Sequence, residues 1–293
     1  MKQLETKLFF YTIVIMIPII KLYENDFTGQ YLNQILLFSL PLLWPGLAHG
    51  SLDISIAKHK RIIKNKLETI FFLIAYITIP LIFFIMWINF PNFVFLLFLL
   101  LSALHFGISD SITKRNLMEI LIRGMIVITL PFKFHLERSI EIFSFFFVET
   151  NFLLNVGLYF SYIYFFLVLL IVIWFVKSLN SISKSQEQRI LAIEISLLFF
   201  CFWFFEPLFS FFIYFCFLHS TRHLIEEKNN LQLKASKLIL KTIPMTLLTL
   251  LFFTLIFFFF NDSINYLVVN YIVIGLSSLT ISHIVLINFT KNN

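Results

Sequence analysis

The chain has 293 residues, of which 59% are hydrophobic and only 13% charged, and its mean hydropathy is +0.92. A soluble domain of this length carries about twice that charged fraction, so a water-soluble globule is excluded. The formal net charge of +6 would suit a nucleic-acid binder only if the basic residues clustered on a folded surface, and they do not.

Apolar runs of roughly 16 to 25 residues, the length a helix needs to cross a bilayer, recur along the whole chain. Read between charged or turn-rich breaks, they fall near residues 8–22, 31–49, 67–89, 92–110, 116–132, 152–176, 190–205, 208–225, 243–260 and 266–289. The runs are continuous and do not alternate apolar with polar residues, which argues against β-barrel strands. The expectation is an all-α polytopic transmembrane bundle of about 8–10 spans, forming a single integral membrane domain over residues 1–293. The first run has a charged start, like a signal peptide, but lacks a small-residue cleavage site and is read as a span. Arg123 lies inside the fifth, where Glu119, one helical turn earlier, is its natural partner.

Lys and Arg set the orientation. With the N-terminus inside, the inner segments hold Lys2, Lys7, "KHKRIIKNK" at 58–66, Lys114, Arg115, Lys177, Lys184, Arg189, Arg222, Lys228, Lys234, Lys237, Lys241 and Lys291, which is 18 of the 22 basic residues. Lys21, Lys133 and Arg138 fall outside. The bias matches the positive-inside rule and predicts cytoplasmic N- and C-termini. It implies contact with anionic lipid and gives no support to nucleic-acid binding. The 41 phenylalanines accompany abundant Ile, Leu, Asn and Lys, a usage typical of AT-rich coding and no sign of a special aromatic cavity. Cys201 and Cys216 lie in apolar runs, where cysteine serves as a small buried side chain.

On this map five histidines fall late in spans that run from outside to inside. His49 stands in "WPGLAHGSLD", His105 in "LSALHFGISD", His219 and His223 in "FFIYFCFLHSTRHLIEEK", and His283 in "LTISHIVLIN". Asp53 follows His49 by four residues and Asp110 follows His105 by five. Ionisable groups at membrane depth pair, line a cavity or hold an ion, and their matching depth predicts a joint site. His59 and His135 sit in segments expected to be solvated. Imidazole suits zinc, copper and iron: three histidines and a water would serve zinc hydrolysis, while four around Fe(II) would leave two positions open for dioxygen. Asp53 and Asp110 are placed to orient rings by accepting their second N–H, though which ring each reaches is left open. Two other readings of the residues compete. A proton-coupled transporter would use the His/Asp groups as a relay, and a haem protein would use His49 and His105 as axial ligands. A di-iron desaturase needs about eight histidines in dense boxes, more than the seven present here.

The motifs "HGSLD" (49–53), "HFGISD" (105–110) and "HSTRH" (219–223) resemble, in order and on separate helices, those of the Brp/Blh family of membrane β-carotene 15,15'-dioxygenases. The likeness runs from residue 44 to 283. It departs at Thr221, where proline is commoner, and at Ser282, before the later histidine. The resemblance implies a non-haem Fe2+ dioxygenase that splits a carotenoid at its central double bond to give retinal. It implies iron ligands His49, His105, His219 and His223, with Asp53, Asp110, His283, Arg222, Phe106 and Tyr214 as supporting or pocket residues. Arg222 is placed equally well to reach lipid phosphates or to hold an aspartate. The implied partners are a lipophilic carotenoid, dioxygen, the lipid bilayer and, functionally, a retinal-binding protein. The implied location is the inner (plasma) membrane of a bacterial or archaeal cell.

Overall fold

The computed structural model describes residues 4–113, 116–182, 185–260 and 266–292, and among them the secondary structure is helical throughout. Lys2, Lys114, Arg115 and Lys184, counted above in the inner segments, lie outside the described residues. The principal helices are α1 (Leu4–Leu22), α2 (Tyr31–Leu37), α3 (Asp53–His59), α4 (Lys66–Asn89), α5 (Pro91–Asp110), α6 (Leu117–Phe134), α7 (Leu136–Ser144), α8 (Thr150–Ile182), α9 (Gln186–Phe204), α10 (Pro207–Tyr214), α11 (Thr221–Asn230), α12 (Ala235–Phe260) and α13 (Tyr266–Asn292). A π-helical turn, Phe215–Ser220, joins α10 to α11 without a break.

Local chemistry sets the helix starts. At α4 the Asn65 side chain accepts from the backbone N–H of Glu68, whose carboxylate reaches back to the N–H of Lys64, so end groups that lack helical partners are satisfied reciprocally. The Asn116 side chain caps α6 by accepting from the Met118 N–H. α10 begins on Pro207, whose fixed φ and missing N–H suit a first turn.

Four described helical stretches are long and apolar enough to cross a membrane: 66–89, 91–110, 150–179 and 207–230; the broken stretch 31–59 makes a fifth if taken as one. The second expected span is therefore not one straight helix. Pro41, Pro45 and Gly46 interrupt it, and Trp44 takes extended dihedrals (φ −147°, ψ 117°), because proline supplies no N–H to the helical ladder. α4 and α8 expose large apolar residues around most of their circumference, such as Phe71, Ile74 and Ile77 on one and Phe165, Phe166 and Leu169 on the other. Helices apolar all round belong in lipid or in a core.

The described chain divides into two compact units. Unit 1 comprises residues 1–46, 103–142 and 151–223; unit 2 comprises 47–102, 143–150 and 224–293. Each is sewn from distant stretches of sequence. In unit 1, α6, α8, α9 and α10 share an apolar core that includes Ile122, Ile126, Leu130, Leu167, Leu198, Phe202, Phe209 and Ile213. Here α5 and α6 touch backbone to backbone. A Cβ on Gly107 would lie 2.3 Å from the Ile120 carbonyl oxygen, and one on Gly124 would lie 2.1 Å from that of Ala103. Only glycine permits that approach. In unit 2, α13 packs along α4, with the Ser282 hydroxyl donating to the Tyr76 carbonyl at 2.8 Å. The Trp87 indole N–H donates to the Phe146 carbonyl at 3.1 Å.

Candidate functional site

The chemistry-bearing residues of unit 1 collect where the end of α5 meets the π turn. His219 sits in that turn, 1% exposed, and His105 lies in α5, 4% exposed, with ring centroids 5.2 Å apart. A π turn places one extra residue in its loop and so shifts the register of the helix beyond it. Thr221 marks the shift, its hydroxyl donating to the carbonyl of Cys216 five residues back at 2.9 Å. Such turns recur at functional sites because they aim a side chain that a regular helix would point elsewhere.

Asp110 closes the arrangement. Its Oδ1 accepts from His219 Nδ1 at 3.0 Å, and its Oδ2 accepts from the Tyr214 hydroxyl at 2.6 Å. An ionised carboxylate only accepts, so the contact fixes the ring with its proton on Nδ1. Asp110 thus serves the histidine of a different motif. Aromatic rings shield the pair. Phe106 meets His219 edge to face with centroids 4.9 Å apart, Phe215 stacks on it at 5.7 Å, and Tyr214 stands 6.0 Å away. Phe217, from the same turn, instead meets Phe38 at 6.4 Å. His223 is buried in α11, one turn past His219.

Arg222 is buried and engages Asp110 through its backbone carbonyl. Its guanidinium donates to the Glu194 carboxylate on α9 and, at 2.8 Å, to the backbone carbonyl of Asp110; Glu5 on α1 lies 3.7 Å from its Nε. Arg123 donates to Glu119 at 2.9 Å, as its spacing predicts, and also to Glu194 at 2.6 Å. Sequence reasoning missed Glu194 and Glu5. The signal available for Glu194 was a lone acid inside an apolar run, "LAIEISLL", since an acid at membrane depth demands partners.

Unit 2 holds a second pair. His283 Nδ1 lies 2.9 Å from Asp53 Oδ2, both residues are buried, and the Tyr76 hydroxyl donates to the same carboxylate. Asp53 therefore orients His283. The backbone of His49 falls in a short 3-10 segment, Leu47–Leu52, while its side chain lies outside the described residues. His59 is exposed, as expected. His135 is half-buried between α6 and α7, and that burial pushes its imidazole below the usual histidine range, so the expectation of a solvated ring is corrected. Cys201 and Cys216 are buried free thiols.

What could the arrangement hold? The donor type fits a borderline divalent cation such as Fe2+, for which buried neutral imidazoles are apt ligands. With Nδ1 of His219 engaged by a carboxylate, Nε2 is the nitrogen a metal would take, the usual carboxylate–histidine–metal order. Among the described residues no group of three or more His, Cys, Asp or Glu side chains is gathered closely enough to encircle an ion.

A family model described as Beta-carotene 15,15'-dioxygenase matches residues 40–291. A curated relative from an uncultured marine bacterium (66A03), named Beta-carotene 15,15'-dioxygenase, is 31% identical over 259 residues, covering 83% of this chain and 89% of its own. No solved structure matches the chain. With a match across nearly the whole sequence, and the three histidine motifs within it, the chain belongs to the beta-carotene 15,15'-dioxygenase family.

Proposed function

We propose that this protein cleaves β-carotene, or a closely related carotenoid, at the central 15,15' double bond with dioxygen, giving retinal. Family membership supports the reaction class. The observation that carries the reading to this chain is the buried His219, held by Asp110 and packed beside His105 inside a helical unit with exposed apolar surfaces. We carry forward His49, His105, His219 and His223, from the family's three motifs, as the ligands of Fe2+. When bound, the ferrous ion would supply the electrons that activate dioxygen toward the alkene.

The chain's own residues do the rest. Asp110 keeps His219 in one tautomer and one orientation. Phe106, Phe215 and Tyr214 pack around the imidazole and exclude water, which protects reactive species from side reactions. The stoichiometry closes without an external reductant: one C=C bond and one O2 become two C=O groups. A carotenoid dissolves in the bilayer, so lateral entry past Phe, Ile and Leu side chains suits it. The bias of basic residues supports cytoplasmic chain ends, and our reading takes the membrane to be the inner membrane of a prokaryotic cell. A retinal-binding protein is the natural consumer of the product.

The test is expression in a carotene-accumulating bacterial host under aeration and iron sufficiency, with extracts analysed for retinal. Loss of carotene colour with appearance of retinal is expected for the wild type and not for His219→Ala. Equal colour in both would overturn the reading.

A further inference from the structure

Glu194 stands outside every histidine motif, yet it is the branch point of a buried polar network that ends on the Asp110 carbonyl and on the segment just after it. One carboxylate oxygen accepts from Arg222 and from the Thr6 hydroxyl of α1; the other accepts from Arg123 at 2.6 Å. The Arg222 arm continues to the Asp110 carbonyl at 2.8 Å. The Arg123 arm continues to Glu119, whose carboxylate accepts the backbone N–H of Ile112 at 2.6 Å and of Thr113 at 2.9 Å, together with the Thr113 hydroxyl. Glu194, Glu119 and Arg123 are each at most 2% exposed, and Arg222 4%.

We propose that Glu194 is a positioning residue that acts through Arg222 and Arg123 to fix the C-terminal end of α5, and so the Asp110 carboxylate, against His219. This rests on the reading of His219 as a metal ligand. The last carbonyls of a helix have no partner within it, and a residue at that end would otherwise be free to fray. Here the carbonyl of Asp110 is held from one side and the amides of residues 112 and 113 from the other. Ion pairs this deep offset a large desolvation penalty and do little for net stability, so their value lies in specifying geometry. Arginine suits the task because one planar fork grips a carboxylate and a carbonyl at once; lysine offers a point charge.

The experiment titrates Co2+ into detergent-purified wild type, Glu194→Gln and Arg222→Lys, following the d–d absorption and, separately, thermal unfolding. Glu194→Gln keeps the shape but removes the charge both arginines share; Arg222→Lys keeps the charge but loses the fork. Both variants are expected to bind Co2+ more weakly, by up to about 10-fold and so at the low end of the effect of losing a direct partner of a ligand, with altered bands, in protein that still unfolds cooperatively. Wild-type affinity and bands in either folded variant, whatever the change in unfolding temperature, would reduce the network to a structural support and overturn the proposal. If Glu194→Gln does not fold, Arg222→Lys alone decides. Should the wild type bind no Co2+, the metal reading fails first and the proposal falls with it; binding by the wild type with no change in the variants removes the proposal alone.

Discussion

His219 Nδ1 and Asp110 Oδ1 lie 3.0 Å apart although 109 positions separate them in the chain. The contact ties the second histidine motif to the third, and it assigns the aspartate a partner that spacing alone left open. Carboxylates that orient a metal-bound imidazole contribute on the order of 10- to 100-fold to metal affinity or activity. Asp110→Asn is therefore expected to lower retinal formation by that factor while leaving the helical content unchanged. The check is retinal per folded protein, with circular dichroism on the same sample; undiminished turnover would remove Asp110 from the site.

Gly107 belongs to the same motif but has a packing role. A methyl group there would drive into the Ile120 carbonyl and prise α5 from α6. Overpacking of this kind costs about 1–3 kcal/mol, and it must outweigh the gain of about 1 kcal/mol from replacing glycine by alanine in a helix. Gly107→Ala is expected to unfold at lower temperature than the wild type in detergent. An unchanged or raised midpoint would show that the two helices part freely.

In unit 2 the Asp53–His283 pair predicts coupling. Removing either partner takes from the other a buried hydrogen bond that the second removal cannot take again, so the second removal does less harm than the first. A double-mutant cycle of Asp53→Asn and His283→Ala should give an interaction of about 0.5–3 kcal/mol in unfolding free energy. Simple additivity would mean that the pair does not act together.

Most helix bounds were legible in the sequence, and the reason is physical. A span must cover the bilayer with apolar side chains, so its ends announce themselves: 67–89 was expected and Lys66–Asn89 is found, and 92–110 and Pro91–Asp110. Breaks inside an apolar stretch were harder to see. The interruption at Trp44–Gly46 hides in a run whose hydropathy stays high, although Pro45 was in plain view. The π turn at 215–220 left no trace, because "FFIYFCFLHS" is apolar on every side and shows no periodicity whose shift could be noticed. At the site, histidines and aspartates were legible as residue types out of place in lipid. Their pairing was not, since partners such as His219 and Asp110, or His283 and Asp53, come from opposite parts of the chain. The arginine–glutamate network was half legible: Glu119 and Arg123 share a helix, whereas Glu194 meets them only through the fold.

The central claim is that buried imidazoles of unit 1 hold the metal that the reaction needs. Its most direct measurement is the iron content of the purified wild type beside folded His105→Ala and His219→Ala. Stoichiometric iron in the wild type, lost from each variant, is the predicted result. Iron retained at the wild-type level in either variant would contradict the assignment of that residue, and retained in both would contradict the claim.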